Sequence, residues 1–156
     1  MDLGQAEINT LLAIEKYLTD PKSVGIPKAG RTEKFSLRYH LKELDHDDMH
    51  VSAYKGKKDP RKASYRLIYE GNIILIRVDL GDRSPHINPD GEIIPAMTPH
   101  IHIFREGFED RVAYPLPSEF KDSNDLIQSL KDFLSYAKVM NVSEVEIRAQ
   151  EVLPYE

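Results

Sequence analysis

The chain has 156 residues, 40% of them hydrophobic and 30% charged, enough apolar material for one layered core and too little for two. It has no cysteine, which excludes disulfides, thiolate metal ligands and cysteine nucleophiles and suits a reducing cytoplasm. The formal net charge is −5, the longest aliphatic run is only Ile73 to Ile76, and Met1-Asp2-Leu3-Gly4-Gln5 lacks the basic and then apolar pattern of a leader, so a single cytoplasmic domain over residues 1–156 with no membrane partner is expected.

Residues 3–19 place Ile8, Leu11, Leu12 and Leu18 at near-helical spacing behind Asp2, a candidate N-cap, and predict a helix that Asp20-Pro21 ends. Prolines and glycines make 21–33 a loop. The period then changes to two. Phe35, Leu37, Tyr39 and Leu41 alternate with Ser36, Arg38 and His40, which predicts a half-buried strand over 34–41. Asp45-His46-Asp47-Asp48 reads as a polar turn, and 49–54 as a second strand with His50, Ser52 and Tyr54 on its polar face. Segment 55–62 has five cations in eight residues, and Gly56 and Pro60 make it a loop.

Residues 64–69 and 73–80 predict a hairpin around Glu70-Gly71-Asn72. In the second of these strands Ile74, Ile76, Val78 and Leu80 share one face, and Ile73, Leu75, Arg77 and Asp79 the other. Residues 81–98 read as a polar loop, mobile unless His86 or Asp90 is tied down, with a turn at Asn88-Pro89-Asp90-Gly91. Two further strands are expected at 100–105 and 111–116. Leu126, Leu130, Phe133, Leu134 and Ala137 form the stripe of a second helix over 123–140, and 143–152 reads as a last short strand. The resulting class is α+β: a mostly antiparallel β-meander of about six or seven strands, with an N-terminal and a C-terminal helix packed on one sheet face. Tyr65, Tyr69 and Tyr114 are expected to serve packing.

Charge is unevenly spread. From Lys22 to Arg77 there are 13 Lys and Arg against 7 Asp and Glu, a net of +6, while the rest of the chain has 8 against 19, a net of −11. If the aliphatic sets face the helices, the opposite sheet face collects Arg38, His40, His50, Tyr54, Arg77, Asp79, His100 and His102. Such a set suits metal-independent cleavage of RNA. One imidazole takes the proton of the attacking 2′-hydroxyl, a second protonates the leaving oxygen, and arginines offset the charge on phosphorus. His100, His102, Arg77 and Asp79 are the candidate catalytic residues, and no cofactor is needed. Arg38, Tyr54, Lys55, Lys57, Lys58, Arg61, Lys62 and Arg66 are the candidate nucleic-acid contacts.

Two other readings compete. The acidic remainder of the chain suits a non-catalytic interaction protein, an inhibitor, antitoxin-like or anti-defence partner that mimics nucleic acid or docks on a basic protein. Alternatively His100 and His102, on one face of a strand, bind one divalent metal together with His86 or Asp79. His100-Ile101-His102 with Glu106 resembles the first metal motif of cupin barrels over about seven residues, without its glycine-rich context or its second motif. The same strand resembles that of the histidine-triad nucleotide hydrolases, with Phe104 where their nucleophilic histidine would stand.

Residues 75–116 also resemble a family of small uncharacterised bacterial and prophage proteins. The likeness rests on Arg77-x-Asp79, His86-x-Asn88-Pro89-Asp90-Gly91, Pro99-His100-Ile101-His102-Ile103-Phe104-x-Glu106-Gly107 and Ala113-Tyr114-Pro115-Leu116. It implies a bacterial or mobile-element origin, a setting in which toxins and their partners are common, and it implies no mechanism.

Overall fold

A computed structural model describes residues 3–41 and 48–146. Seven antiparallel strands form one sheet: β1 (Lys16–Leu18), β2 (Thr32–Tyr39), β3 (Met49–Lys55), β4 (Ala63–Tyr69), β5 (Ile73–Leu80), β8 (His100–Ile103) and β9 (Ala113–Pro115), in that spatial order. Between β5 and β8 the chain makes a separate hairpin, β6 (His86–Ile87) with β7 (Ile93–Ile94). Helices α1 (Gln5–Ala13) and α2 (Leu126–Tyr136) complete an α+β meander with an N-terminal and a C-terminal helix, as the periodicities predict. Among the described residues no helix is long and apolar enough to cross a membrane.

The core lies between the helices and one sheet face. Ile8 and Leu11 of α1 and Leu130, Phe133 and Leu134 of α2 join Phe35, Val51, Leu67, Val78 and Ile101 in one buried cluster. Tyr65 and Tyr69 belong to it, and Tyr65 donates or shares hydrogen bonds with the Leu126 carbonyl and the Ser129 hydroxyl (3.2 and 2.8 Å). Tyr114 is instead exposed on the edge strand β9. Asp125 caps α2 by accepting from the Gln128 amide at 3.1 Å.

Several expectations change. The first helix stops at Ala13 rather than at residue 19, and Lys16–Leu18 becomes an edge strand paired with Leu37, Arg38 and Tyr39. Leu18 fits either period; the free edge of β2 decides for the strand. The N-cap is Gly4, and Asp2 lies outside the described residues. In β5 the register slips between Leu67 and Ile68, so that Ile76 opposes Leu67 and Ile74 opposes Ile68. This bulge turns Leu75 as well as Ile76 into the core (0% and 2% exposed) and takes Ile74 off the core face. Residues Val142–Glu144 form a 3₁₀ turn where the last strand is expected; the rest of that segment beyond 146, and most of the 45–48 turn, lie outside the described residues. The sixth strand is short, 113–115 of the expected 111–116.

The stretch 81–98 is structured through the hairpin. The Gly91 amide donates to the Asn88 carbonyl, the Glu92 amide to Asp90 Oδ1, and Gly91 has φ +92°, so the expected turn is present with His86 and Asp90 both tied down. Gly81 starts the excursion at φ +68°, and a Cβ there would sit 2.6 Å from the Arg61 carbonyl oxygen.

Candidate functional site

Residues paired across an antiparallel sheet share a face. On the face away from the helices the register lines up Ser52, Arg66, Arg77, His102 and Ala113 in one row, and Tyr54, Ser64, Asp79, His100 and Pro115 in the next. Neighbouring strands thereby bring Arg77, Asp79, His100 and His102 together, although the two pairs lie over twenty residues apart in sequence. Asp79 Oδ2 lies 3.1 Å from Arg77 Nε, 3.5 Å from His100 Nε2 and 3.3 Å from His102 Nε2. Its other oxygen accepts from the Ser64 hydroxyl at 3.0 Å. Arg77 also donates to Asp110 at 2.8 Å, so it bridges two carboxylates.

The backbone fixes the imidazoles. His100 Nδ1 lies 2.8 Å from the Thr98 carbonyl and His102 Nδ1 lies 2.9 Å from the Asp110 carbonyl. A carbonyl only accepts, so both rings carry hydrogen on Nδ1 and turn Nε2 toward Asp79. Arg77 Nη2 stands 3.1 Å from His102 Nε2. Burial works against the charge on Asp79, but the hydrogen bonds from His100 and His102 and the charge of Arg77 outweigh it and hold the carboxyl well below the usual carboxylate range. For His100 burial likewise opposes charge, and the bonds to Asp79 and Thr98 prevail and raise its pKa.

The β6–β7 hairpin lies over this cluster. The Asn88 side chain makes two hydrogen bonds to one residue, donating to the Ala113 carbonyl (2.9 Å) and accepting from its amide (2.8 Å). His86 Nε2 is 2.9 Å from Asn88 Oδ1 and 3.0 Å from the Arg111 carbonyl, both acceptors, so it carries the hydrogen. The His86 ring stands edge-on to His102 with centroids 4.8 Å apart. Under this cover His100 and His102 are only 2% and 1% exposed. Asn88, Asp110 and Ser64 are members that sequence reasoning missed; the N-P-D-G signal explains the turn at Asn88 and conceals its clamp.

Beside the cluster the same face opens into a groove of about 410 Å³, whose lining includes Tyr54, Lys62, Ser64, Arg66, Arg77, Asp79 and Asp82. It joins three of the expected nucleic-acid contacts to two of the expected catalytic residues. His100 and His102 stand behind Asp79 and do not line it. The other expected contacts lie elsewhere. Arg38 sits over the Tyr17 ring at the opposite end of the sheet, its guanidinium 5.6 Å from the centroid. Lys55 pairs with the buried Ala63 and faces the helix side, beside Asp122 and Asp125. Arg61 is held by Asp59, and Lys57 and Lys58 are exposed on the loop, Lys57 packing on Gly30. His50 is on the polar face within 3.4 Å of Asp48, away from the cluster, and the exposed His40 lies just past the end of β2.

Among the described residues Asp79, His100 and His102 form a group able to hold a metal ion, their ligand atoms all within 4.8 Å of one another. His86 is outside that group. The model of a family of unknown function matches residues 3–139. No curated protein and no solved structure matches the chain.

Proposed function

The chain belongs to that family, DUF6978, and from the polar face built by its matched region we propose that it binds RNA and cleaves its phosphodiester backbone, in the manner of a small toxin-type ribonuclease of bacteria or their mobile elements. The observation that carries this reading is the groove, which sets Tyr54, Lys62 and Arg66 beside the Arg77–Asp79 pair. Arg66, Arg77 and Lys62 hold the phosphate and offset the charge that grows on its oxygens. Tyr54 offers a ring on which a base stacks. RNA brings its own nucleophile: the 2′-oxygen bonds to phosphorus, the bond to the 5′-oxygen breaks, and one proton passes from the first oxygen toward the second. Asp79, charged and backed by His100 and His102, is the group placed to accept a hydrogen bond from the 2′-hydroxyl and orient it for attack. The two buried imidazoles position Asp79 and reach the substrate through it.

The test is incubation of purified protein with a defined single-stranded RNA. The expected products end in a 2′,3′-cyclic phosphate and a 5′-hydroxyl, and Arg77→Ala abolishes them. Expression in a bacterial host is expected to arrest growth, with Arg77→Ala relieving the arrest. Intact RNA across pH 5 to 8, a span that covers imidazole titration, would sink the reading.

A second reading, a non-catalytic partner-binding protein, has one observation in its favour. Ile87 and Ile93 pair across the hairpin and are 64% and 60% exposed. It predicts tight protein binding that Arg77→Ala leaves intact.

A further inference from the structure

The cluster poses an electrostatic problem. With Nδ1 of each ring given to a backbone carbonyl, His100 and His102 both turn Nε2 toward the same oxygen of the Asp79 carboxylate, 3.5 and 3.3 Å away. Two imidazole nitrogens and a carboxylate oxygen that converge in this way gather around a positive charge, which a second proton on a ring or a bound ion supplies. Arg77 supplies part of it, reaching Asp79 Oδ2 and His102 Nε2, and leaves His100 Nε2 without its hydrogens.

We propose that Asp79, His100 and His102 form a binding site for one divalent first-row transition ion, zinc or a close relative, with Arg77 as the resident cation that the ion displaces from His102. Four features of the geometry support it. Ligands about 2.1 Å from a tetrahedral ion lie about 3.4 Å from one another, and the two Asp79–histidine separations are 3.5 and 3.3 Å. Each histidine donates its far N–H to a backbone carbonyl, the arrangement that orients metal-bound imidazoles. The Ser64 hydroxyl holds Asp79 Oδ1 and turns Oδ2 toward the histidines. Asp110, 2.8 Å from Arg77 Nη1, keeps the guanidinium once Nη2 leaves His102. Two nitrogens and one carboxylate oxygen suit zinc, cobalt or nickel better than magnesium or calcium. An ion held by these residues would lie behind Asp79, next to the groove that Asp79 lines, and would supply a Lewis acid there. The site concerns ligands alone and stands whether or not RNA is the substrate.

The experiment titrates tag-free protein, stripped with chelator and dialysed, with Co²⁺ and Zn²⁺ by calorimetry and, for Co²⁺, by visible absorption. One ion per chain is expected, with the strong visible bands of four-coordinate cobalt. Asp79→Asn, His100→Gln and His102→Gln are each expected to weaken binding at least about tenfold, and Arg77→Gln to strengthen it. A ligand variant that fails to fold is replaced by a measurement on the wild type: ¹⁵N spectra of its histidines, in which Zn²⁺ is expected to shift Nε2 of His100 and His102. No binding of either ion, or binding that leaves those nitrogens unshifted and is unchanged in a folded Asp79→Asn, overturns the proposal. RNA cleavage is assayed separately, so the failure of one reading is not mistaken for failure of the other.

Discussion

Lys16 is fully buried, and its ammonium hydrogens go to the carbonyls of Leu12, Ile14 and Ala137 at 3.3, 3.0 and 2.9 Å. These are orphan carbonyls at the ends of both helices, so one side chain caps α1 and α2 together. Lys16→Met keeps most of the volume but leaves the carbonyls unpaired, and is expected to cost about 2–4 kcal/mol, read by denaturant unfolding. Burial, aided by Lys138, pulls the Lys16 pKa down to about 8 from 10.5. Between those values the unfolded chain holds a proton that the folded chain has released. The Lys16 contribution to stability therefore grows as pH rises from 8 toward 10, and the gap between wild type and Lys16→Met is expected to widen over that range. At the functional site Asp79 has the corresponding central place among charged partners. Asp79→Asn removes the anion that Arg77 and both histidines face, and is expected to abolish activity while the far-UV spectrum is kept.

At the scale of elements the β6–β7 hairpin decides what the polar face can do. Its hold on β9 rests on Asn88, whose amide forms two buried hydrogen bonds to Ala113. Asn88→Ala leaves both backbone groups of Ala113 unpaired and is expected to destabilise the chain by about 2–3 kcal/mol. Amide exchange at Ala113 should quicken, and His100 and His102 should become reactive to a histidine-modifying reagent. The strands flanking this region were readable because alternation is a direct consequence of one buried face. Arg77, Asp79, His100 and His102 could therefore be placed on one face from sequence. Their actual meeting required the β5–β8 pairing across an excursion of 19 residues, which no local pattern contains. The hairpin escaped notice because its strands have two residues each and its clamp looks like turn chemistry. The bulge at Leu75 escaped because an unbroken run of isoleucine and leucine has no phase of its own. Lys16 escaped because a lysine reads as surface until the helix ends around it are known.

For the whole molecule the charge map now has a shape. Among the described residues the cations from Lys22 to Arg77 are distributed over two faces and a loop, and only Lys62, Arg66 and Arg77 of the expected ones line the groove. Lys62→Ala with Arg66→Ala is expected to weaken RNA binding and to reduce the salt dependence by roughly two phosphate contacts. Lys57→Ala with Lys58→Ala, remote from the groove, should do markedly less, as fluorescence anisotropy over about 50–200 mM salt will show. On the proposed reading the acidic remainder is expected to keep RNA off other surfaces and so to make binding local. The most direct measurement is therefore a map of where RNA touches the chain: amide and arginine side-chain NMR shifts of the isotopically labelled protein, titrated with a short single-stranded RNA. Shifts centred on Tyr54, Ser64, Arg66, Arg77 and Asp79 are predicted. Shifts confined to the hairpin tip at Ile87 and Ile93, or no shifts at all, would contradict the assignment of this face to RNA.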